Sequence, residues 1–350
     1  MRPKRFIMRI LAVDIGMGTQ DIMVVDDAAS PLEGSYKLVL PSPTRYFAEM
    51  IRSVRDDILI YGDTMGGGPI ARAIIDHLRR YRVYMTPDAA RTIRDDLSRV
   101  EKLGVTIIPE KEIDNLRCKR IKISDIALER LEPQLAAFGI DTSFDVVAVA
   151  VQDHGVAPPG VSDREHRFTI FKELLESTRR IEEVSHFNEV KGNFSRMKSI
   201  FNRIKSRFAG DILLMDTGIA AALGSLVDGR MKGVSRSIAV NIGNGHTLAV
   251  TIKNREICGF FEHHTRMIDR DKLRRFIDHL IDGSITFEEV FEDGGHGALL
   301  FEPVEPEVTT ITGPKRYLME GVGLHVAPAG DMMMAGPVGL IEAVRYRLGL

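Results

Sequence analysis

The chain has 350 residues, of which 44% are hydrophobic and 27% are charged, a composition that excludes wholesale disorder. Its 47 Lys and Arg residues nearly balance 49 Asp and Glu residues, and the net charge of -2 argues against a dedicated nucleic-acid binder. No apolar run reaches the roughly 18 residues that a membrane-spanning helix needs, so we predict no membrane partner.

The two cysteines, Cys118 and Cys258, lie far apart in the sequence. Within one chain they cannot build a disulfide framework, a paired-cysteine zinc site or an iron–sulfur cluster. We therefore predict a reducing, cytoplasmic setting. The first residues are basic like a signal peptide, but Arg9 and Asp14 interrupt the apolar segment, and we interpret Ile10–Val13 as a buried strand.

An internal repeat organises the sequence. Residues 11–26 (LAVDIGMGTQDIMVVD) and residues 238–253 (IAVNIGNGHTLAVTIK) share the pattern Ala-Val-(Asp/Asn)-Ile-Gly-x-Gly, followed by a second apolar segment. Each copy predicts two strands joined by a Gly-rich turn. A third strand follows each copy, at Tyr36–Leu40 and at Glu256–Phe261, and a helix with apolar spacing comes next.

Further strand-and-helix units continue this pattern. Apolar runs predict strands at Ile58–Tyr61, Val105–Ile108, Asp145–Val151, Asp211–Met215 and Val308–Thr312. Such alternation favours α/β sheets covered by helices. We predict a first domain over residues 1–210, with a charged helical insertion or lid at about 155–208, and a second domain over residues 211–350.

The two Gly-rich turns are candidate phosphate sites. A strand that ends in a carboxylate and turns through Gly-x-Gly presents backbone N–H groups to phosphate oxygens. Asp14 is such a carboxylate and is a candidate magnesium ligand. The candidate phosphate-binding residues are Gly16, Gly18, Thr19, Asn241, Gly243, Gly245, His246 and Thr247. The alternative is that the glycines only satisfy hairpin geometry, but duplication of the motif favours binding.

The sequence resembles the actin, heat-shock chaperone and sugar-kinase superfamily of ATP-binding proteins. The matching parts occur in the expected order: phosphate loops Asp14–Thr19 and Asn241–Thr247, a connecting helix Ile219–Gly224, an adenosine-type loop Ile311–Pro314 and a Gly-rich helix start Ala335–Gly339. The resemblance, which is thin between residues 63 and 140, implies an α/β fold of two duplicated actin-like (ribonuclease H-like) domains with a nucleotide cleft between them. It also implies ATP and Mg as cofactors, with Thr312 and Gly313 near adenosine.

More closely, the whole chain resembles a mainly archaeal family whose members are labelled pyruvate formate-lyase activating enzymes. A radical activase needs three cysteines to hold its iron–sulfur centre, and two isolated cysteines cannot supply them. We therefore predict that the chain is not a radical activating enzyme. Asn241 stands where the superfamily often has Asp, which predicts slow hydrolysis or transfer, or reliance on another acid.

Asp14, Asp216 and Asp153 are the candidate catalytic residues. Asp216 ends an apolar strand just before an Ala-rich helix, so it is either a helix N-cap or the base that takes a proton from a substrate hydroxyl, as resemblance to carbohydrate kinases implies. Asp153 belongs to Gln152–Gly155, which follows another strand. Polar residues there face the cleft of an α/β sheet, although an ordinary turn is the alternative.

Candidate substrate contacts also come from a pair of adjacent histidines. The predicted substrate-binding residues are Gln152, His154, Glu262, His263 and His264. Paired histidines with a carboxylate, and His296 in a Gly-rich loop, suit a transition metal. Because adjacent side chains of an extended segment point in opposite directions, we favour hydrogen bonding to substrate or phosphate over metal binding.

Two other features of the first half are open to interpretation. Asp63–Pro69 holds three successive glycines before a predicted helix, which suits close approach of an anion to the helix N-terminus, with a flexible turn as the equal alternative. The Arg-rich segments around residues 72–82 and 179–207 are most simply solvated helix faces.

We predict an ATP-dependent phosphotransferase or ATPase that acts on a small hydroxylated or carboxylate metabolite. Two classes remain as alternatives: a nucleotide-dependent regulator or switch without catalysis, and a metal-dependent hydrolase that uses the His and Asp loops. The predicted partner is a small-molecule substrate, with no nucleic acid, and the sequence leaves a homo-oligomer open.

Overall fold

The computed structural model describes residues 8–27, 31–158 and 160–350. In chain order its strands are β1 (Ile10–Ile15), β2 (Thr19–Val25), β3 (Tyr36–Pro41), β4 (Ile58–Gly62), β5 (Val83–Met85), β6 (Thr106–Ile107), β7 (Lys119–Ile123), β8 (Val146–Val151), β9 (Ser185–Phe187), β10 (Asp211–Met215), β11 (Arg236–Ile242), β12 (His246–Lys253), β13 (Glu256–His264), β14 (Gly297–Leu300), β15 (Val308–Thr312) and β16 (Leu324–His325). Its helices are α1 (Pro43–Ser53), α2 (Pro69–His77), α3 (Pro87–Arg91), α4 (Leu97–Lys102), α5 (Leu128–Ala137), α6 (Asp163–Ser177), α7 (Ser195–Lys205), α8 (Thr217–Ser225), α9 (Arg270–Asp282), α10 (Phe287–Glu292) and α11 (Ala335–Leu348).

The first sheet has the strand order β3-β2-β1-β8-β10-β9. The predicted hairpin is confirmed, since β1 and β2 pair antiparallel, and β3 adds the predicted third strand. β1, β8 and β10 run parallel. Every residue of β1 and β8 is buried, because helices cover both faces of the sheet, and this explains their continuous apolar sequences.

The second sheet repeats this topology, with the order β14-β13-β12-β11-β15-β16. β11, β12 and β13 form an antiparallel meander, and β15 pairs parallel with β11, as β8 pairs with β1. The duplicated α/β architecture predicted from the repeat is therefore confirmed. Strand Asp211–Met215, which the predicted division at residue 210 assigned to the second half, pairs in the first sheet. The limits of independently folding domains stay a prediction.

The segment predicted as an insertion or lid packs onto the first sheet. Phe168 and Phe171 of α6 join the core on one face, and Met197 and Ile200 of α7 join the core on the other. β9 extends the edge of the same sheet. These helices are therefore integral to the first half, because their apolar stripes are what cover its strands.

A third sheet, with the parallel order β6-β5-β4-β7, occupies residues 58–123. It has its own apolar core, which includes buried residues of α1 and α2. This unit lies largely where the resemblance is thin. In the part of the chain that the structure describes, we find no helix with the length and apolar character needed to cross a bilayer.

Helices α8 and α11 cross in direct backbone contact between the two large sheets. A Cβ at Gly224 would overlap the Ala335 carbonyl oxygen, and one at Gly339 would overlap the Ala220 carbonyl oxygen. Both helices contribute to a core that also contains side chains from both sheets, including Ala148 of β8 and Val250 of β12. The two halves are thus joined by a glycine-mediated crossing.

We predict that Gly339→Ala destabilises the protein. Gly→Ala in an open helix position stabilises by about 1 kcal/mol, whereas overpacking at this crossing should lower the free energy of unfolding by about 3 kcal/mol. Urea unfolding measures the difference. Gly34→Ala is the matched control, because a Cβ at Gly34 meets nothing within 4 Å. Equal stability of Gly339→Ala and the parent would contradict the close crossing.

Candidate functional site

The turns of the two hairpins have the same geometry and face each other across the cleft between the sheets. The Gly16 N–H donates to the Thr19 carbonyl over 3.0 Å, and the Gly243 N–H donates to the His246 carbonyl over 2.9 Å. Each turn therefore closes with the same backbone hydrogen bond at the corresponding repeat position. This equivalence supports the duplication that was read from the sequence.

The two turns interlock. The Met17 side chain lies against Gly245, where an added Cβ would come within 3.3 Å of it. From the other hairpin, the Asn244 side chain fills the space beside Gly18, so a Cβ at Gly18 would overlap it. The missing side chains at the two glycines are what allow this approach.

Among the described residues, two cavities border the interlocked turns and a third adjoins one of them. The smallest, of about 70 Å³, is bounded by both turns and by Asp14, Asp21, Gly313 and Gly336. A second, of about 240 Å³, reaches from the turns to Gln152, His154, Arg196 and Glu262. A third, of about 320 Å³, shares Gly66–Gly68 with the second and opens toward Arg91, Arg94, Arg164, His264 and His296.

Asp14 lies at the carboxyl end of β1 beside the smallest cavity. Its side chain is 8% exposed, and its Oδ1 accepts a hydrogen bond of 2.6 Å from the Thr217 hydroxyl. The second oxygen faces Gly336, where an added Cβ would overlap it. Burial raises the pKa of Asp14 to about 7, so the carboxyl group is poised to lose or gain a proton near neutral pH.

Asp21 faces Asp14 across the hairpin, because the two residues are register partners in β1 and β2. The Thr19 hydroxyl donates to Asp21 Oδ2 over 3.3 Å, while Oδ1 is buried with no hydrogen-bond partner among the described residues. Burial raises the pKa of Asp21 to about 8, and the Asp14 charge adds to the effect. Sequence reasoning missed Asp21, although hairpin register alone would have found it.

The predicted residues of the second loop divide into two groups. Asn241, Gly243 and Gly245 line the cavities, and Asn241 and Gly243 border two of them. Thr247 is instead buried against the Thr265 hydroxyl, 3.0 Å away. In the adenosine-type loop, which includes Gly313 of the smallest cavity, the Thr312 hydroxyl donates to the Met332 carbonyl over 3.3 Å. Gly313 has a φ of 95°, a conformation that favours glycine.

A buried arginine, Arg167 of α6, joins two of the predicted carboxylates. Its Nη2 donates to Asp216 Oδ2 over 2.8 Å, and its Nε donates to Glu262 Oε2 over 2.6 Å. Gln152 Nε2 donates to Glu262 Oε1 over 2.6 Å. Burial disfavours the charged form of Glu262, but the Arg167 guanidinium outweighs it and holds the pKa of Glu262 below its usual range. The cluster brings four residues from separate elements to one side of the cleft.

Asp216 is the N-cap of α8, as one of the two sequence interpretations expected. Its Oδ1 accepts from the backbone N–H groups of Gly218 and Ile219, while Oδ2 pairs with Arg167. Burial raises the pKa of Asp216. Its role as a base stays a prediction. The N-cap hydrogen bonds and the ion pair with Arg167 hold the Asp216 carboxylate in place.

Asp153 is held by backbone on both sides. Its two carboxylate oxygens accept N–H groups of Gly155 and Met197, each over 2.8 Å. Nearby, Arg196 pairs with Asp125 over 2.6 Å and donates to the Gln152 carbonyl over 2.9 Å. The interpretation of residues 179–207 as a solvated face is therefore wrong for Arg196, because its partners lie on the inner side of α7.

The predicted substrate residues of strand β13 lie on opposite faces of the strand. Glu262 points into the cleft with Gln152 and His154, and His264 borders the adjoining third cavity, so these four come together. His263 between them points away, and its Nε2 lies 3.0 Å from Asp293 Oδ2. The alternation of side chains along a strand explains the split, which the sequence argument about adjacent histidines anticipated.

Four imidazole rings meet where the second and third cavities join. His154 Nε2 lies 3.1 Å from His296 Nε2, and the ring centroids of His246 and His264 are 4.9 Å apart. Burial lowers the pKa of His154 to about 3 and that of His246 to about 4. Burial also lowers the pKa values of His264 and His296. The rings are therefore neutral at pH 7, the form in which histidine binds metals.

Comparison with solved structures returns proteins of low sequence identity. A protein from Listeria monocytogenes described as an N-acetylmannosamine kinase is 12% identical, with 97% of this chain and 100% of that chain covered and a TM-score of 0.38. The PilM-PilN type IV pilus biogenesis complex is 15% identical, with 97% of this chain and 98% of that chain covered and a TM-score of 0.41. ROK hexokinase from Thermus thermophilus is 11% identical, with 96% of this chain and 98% of that chain covered and a TM-score of 0.33.

No curated protein matches the sequence. Residues 65–318 match the family model described as "Putative pyruvate format-lyase activating enzyme (DUF1786)". The match spans well over half of the chain and confirms the closer of the two resemblances drawn from the sequence. The chain belongs to this family.

Proposed function

We propose that this chain is an ATP-binding phosphotransferase or ATPase that holds magnesium and nucleotide phosphates between the turns of the two hairpins. The observation that carries the proposal is the pairing of two Gly-rich turns from duplicated halves around the carboxylates of Asp14 and Asp21. Two Gly-rich turns and two carboxylates around one small cavity suit a phosphate chain with its cation.

The residues of this cavity fit a magnesium ion. Magnesium takes one or two carboxylates together with phosphate oxygens and water, and Asp14 and Asp21 supply two carboxylates. Asp21 Oδ1 is buried without a hydrogen-bond partner in the described chain, which costs about 1–3 kcal/mol unless another group satisfies it. A bound cation would satisfy this oxygen and would neutralise phosphate charge during transfer.

Nucleotide entry requires the two hairpins to separate. Met17 and Asn244 fill the space between the turns, and the cavity beneath them has a volume of about 70 Å³. Opening at this contact would admit the phosphate chain, and closure would exclude water from the reacting groups. Gly313 would then lie near adenosine, as the resemblance implies.

The acceptor site in this proposal is the cavity of about 240 Å³ that begins at the turns and ends at Gln152, His154 and Glu262. These polar side chains suit a small hydroxylated or carboxylate metabolite. Asp216 is a better candidate base than Asp153, because both Asp153 oxygens accept backbone N–H groups. Oδ2 of Asp216 pairs instead with a side chain, that of Arg167, and accepts no backbone N–H group among the described residues.

A nucleotide-dependent regulator is the second candidate. It is favoured by Asn241, which borders both cavities at the turn where an aspartate would offer a second negative charge to the metal. Steady turnover of ATP with one metabolite supports the enzyme. Stable binding of ATP without product supports the regulator.

We predict that Asp14→Asn weakens magnesium-dependent nucleotide binding. Titration calorimetry with ATP and ADP, with and without magnesium chloride, should show binding by the parent in the presence of magnesium. The variant should bind at least about 10-fold more weakly, because loss of one ligand charge costs at least about 1.4 kcal/mol. Asp141→Asn is the control, since Asp141 pairs with Arg9 on the surface. Equal affinity of Asp14→Asn and the parent for magnesium ATP would overturn the proposal.

We predict that Asp21→Asn stabilises the metal-free protein in a pH-dependent manner. The folded pKa of Asp21 is about 8, whereas the unfolded value is about 3.9. Between these values the unfolded chain loses a proton that the folded chain keeps, so the stability of the parent falls as pH rises. Asparagine cannot ionise and escapes this loss.

Urea unfolding at about pH 4 and about pH 8, with a chelator present, tests this expectation. The stability advantage of Asp21→Asn should be small at the lower pH and should reach several kcal/mol at the higher pH. Added magnesium should stabilise the parent at the higher pH and leave the variant nearly unchanged. An advantage that is the same at both pH values would contradict the buried, proton-retaining carboxyl group.

A further inference from the structure

The structure contains a second candidate metal centre, whose residues differ from those of the magnesium site proposed at the hairpin turns. Three neighbouring strand ends carry histidines that converge on one side of the second sheet. His246 opens β12 and is the register partner of His264, the last residue of β13. His296 precedes β14, and its N–H donates to the Glu262 carbonyl over 2.9 Å. Backbone pairing therefore places the three rings.

The three rings form a nearly equilateral group. The centroid distances are 4.9 Å for His246–His264, 4.9 Å for His246–His296 and 4.8 Å for His264–His296. One nitrogen from each ring lies within 4.8 Å of the others. Small side-chain rotations would bring these nitrogens to the distance of about 2.0–2.1 Å from a common ion that zinc–imidazole bonds require.

The hydrogen bonding of these rings is incomplete. His296 is fully buried, and its Nδ1 has no hydrogen-bond partner among the described residues. The rings of His246 and His264 are half-buried and border the second and third cavities, respectively. The His296 ring satisfies one nitrogen, because its Nε2 lies 3.1 Å from His154 Nε2, and leaves Nδ1 without a partner in the described chain. An ion bound among the three rings would satisfy this second nitrogen.

The surroundings also suit a metal. Glu262 Oε2 lies 3.9 Å from His296 Nδ1, so a negative charge lies close to the position of the ion. His154, 3.1 Å from His296, is near enough to act as a fourth ligand or to bond a bound water. The positive charge of Arg167 does not compete, because Asp216 and Glu262 neutralise it.

We infer that His246, His264 and His296 bind one divalent transition-metal ion of the zinc class, with an open coordination position facing the third cavity. Three imidazoles suit zinc, cobalt, nickel or iron and suit magnesium poorly. Three protein ligands with one open position are typical of sites that bind substrate or water. The inference rests on the proposed function only in placing this ion beside the acceptor cavity.

The same cavity indicates what the open position would bind. Arg91, Arg94 and Arg164 line it together with His264 and His296, and the carboxylates of Asp95, Asp153 and Asp163 line it as well. Because Arg91 pairs with Asp88, we assign the contact with a ligand to Arg94. A metal ion flanked by guanidinium groups favours an anionic group, such as a carboxylate or phosphate, because both supply oxygen ligands and accept bidentate arginine hydrogen bonds. The substrate class is therefore a small anion whose charged group rests on the metal.

Titration with cobalt chloride tests the site. The untagged full chain is freed of metal with a chelator, dialysed and titrated in excess magnesium chloride, which saturates the carboxylate pair. We expect one Co²⁺ per chain, with visible absorption bands of imidazole-bound cobalt. His264→Gln and His246→Asn should each weaken binding at least about 100-fold, since even residues that only orient metal ligands contribute 10–100-fold. The two half-buried positions are chosen to preserve folding, checked by circular dichroism.

His279→Gln is the matched control, because His279 is a half-exposed histidine of α9 that pairs with Glu289 away from the group. It should bind cobalt as the parent does. Failure of the parent to bind cobalt or zinc would overturn the inference, and so would full affinity in both cluster variants. Asp14→Asn separates the two proposals: it should lose nucleotide binding and keep cobalt binding. If it loses cobalt instead, the ion lies at the carboxylate pair and the inference is wrong.

Inorganic phosphate tests the open position. Added to the cobalt-loaded protein, it should shift the visible bands, and Arg94→Ala should require at least several-fold more phosphate for the same shift. An unchanged spectrum at saturating phosphate would show a closed structural site and would overturn the assignment of an anionic substrate to the metal.

Discussion

The close crossing of α8 and α11 is the constraint on which the cleft depends. Gly224 and Gly339 allow each helix to touch the backbone of the other, and this brings two covered sheets together through one shared core. Gly336, at the start of α11, extends the contact to the carboxylate of Asp14. Helix packing, sheet placement and the site are thus coupled, because a side chain at any of these glycines would push the halves apart.

The cleft contains several buried charged side chains, which normally do not stabilise a protein interior. Asp14 and Asp21 face each other in a buried hairpin, and Arg167 is enclosed between Asp216 and Glu262. Ion pairs this deeply buried are weak contributors to stability, since desolvation offsets most of their attraction. These charges lie in the cleft between the two halves, and the proposed ligand binding would account for them, because functional sites commonly sacrifice stability.

In the second half, side chains that point alternately to the two faces of a strand have different surroundings. In β13, Glu262 and His264 face the cleft side and His263 faces Asp293, so two adjacent histidines have separate environments. The third sheet completes the site from the other direction, because its Gly66–Gly68 turn borders two cavities. The molecule therefore combines a cleft between two duplicated Gly-rich hairpins with an arginine- and histidine-lined cavity next to it.

The sequence by itself determined the duplicated hairpins, their Gly-rich turns and most strand positions, because repeated motifs and apolar periodicity are local properties. Sequence reasoning missed that Asp14 faces Asp21, although the register of the hairpin implies it. Only the tertiary structure decided that Arg167 joins Asp216 to Glu262 and that His296 meets His246 and His264. These groups come from segments separated by tens of residues, and their meeting depends on sheet order and on the helix crossing, which no local pattern encodes.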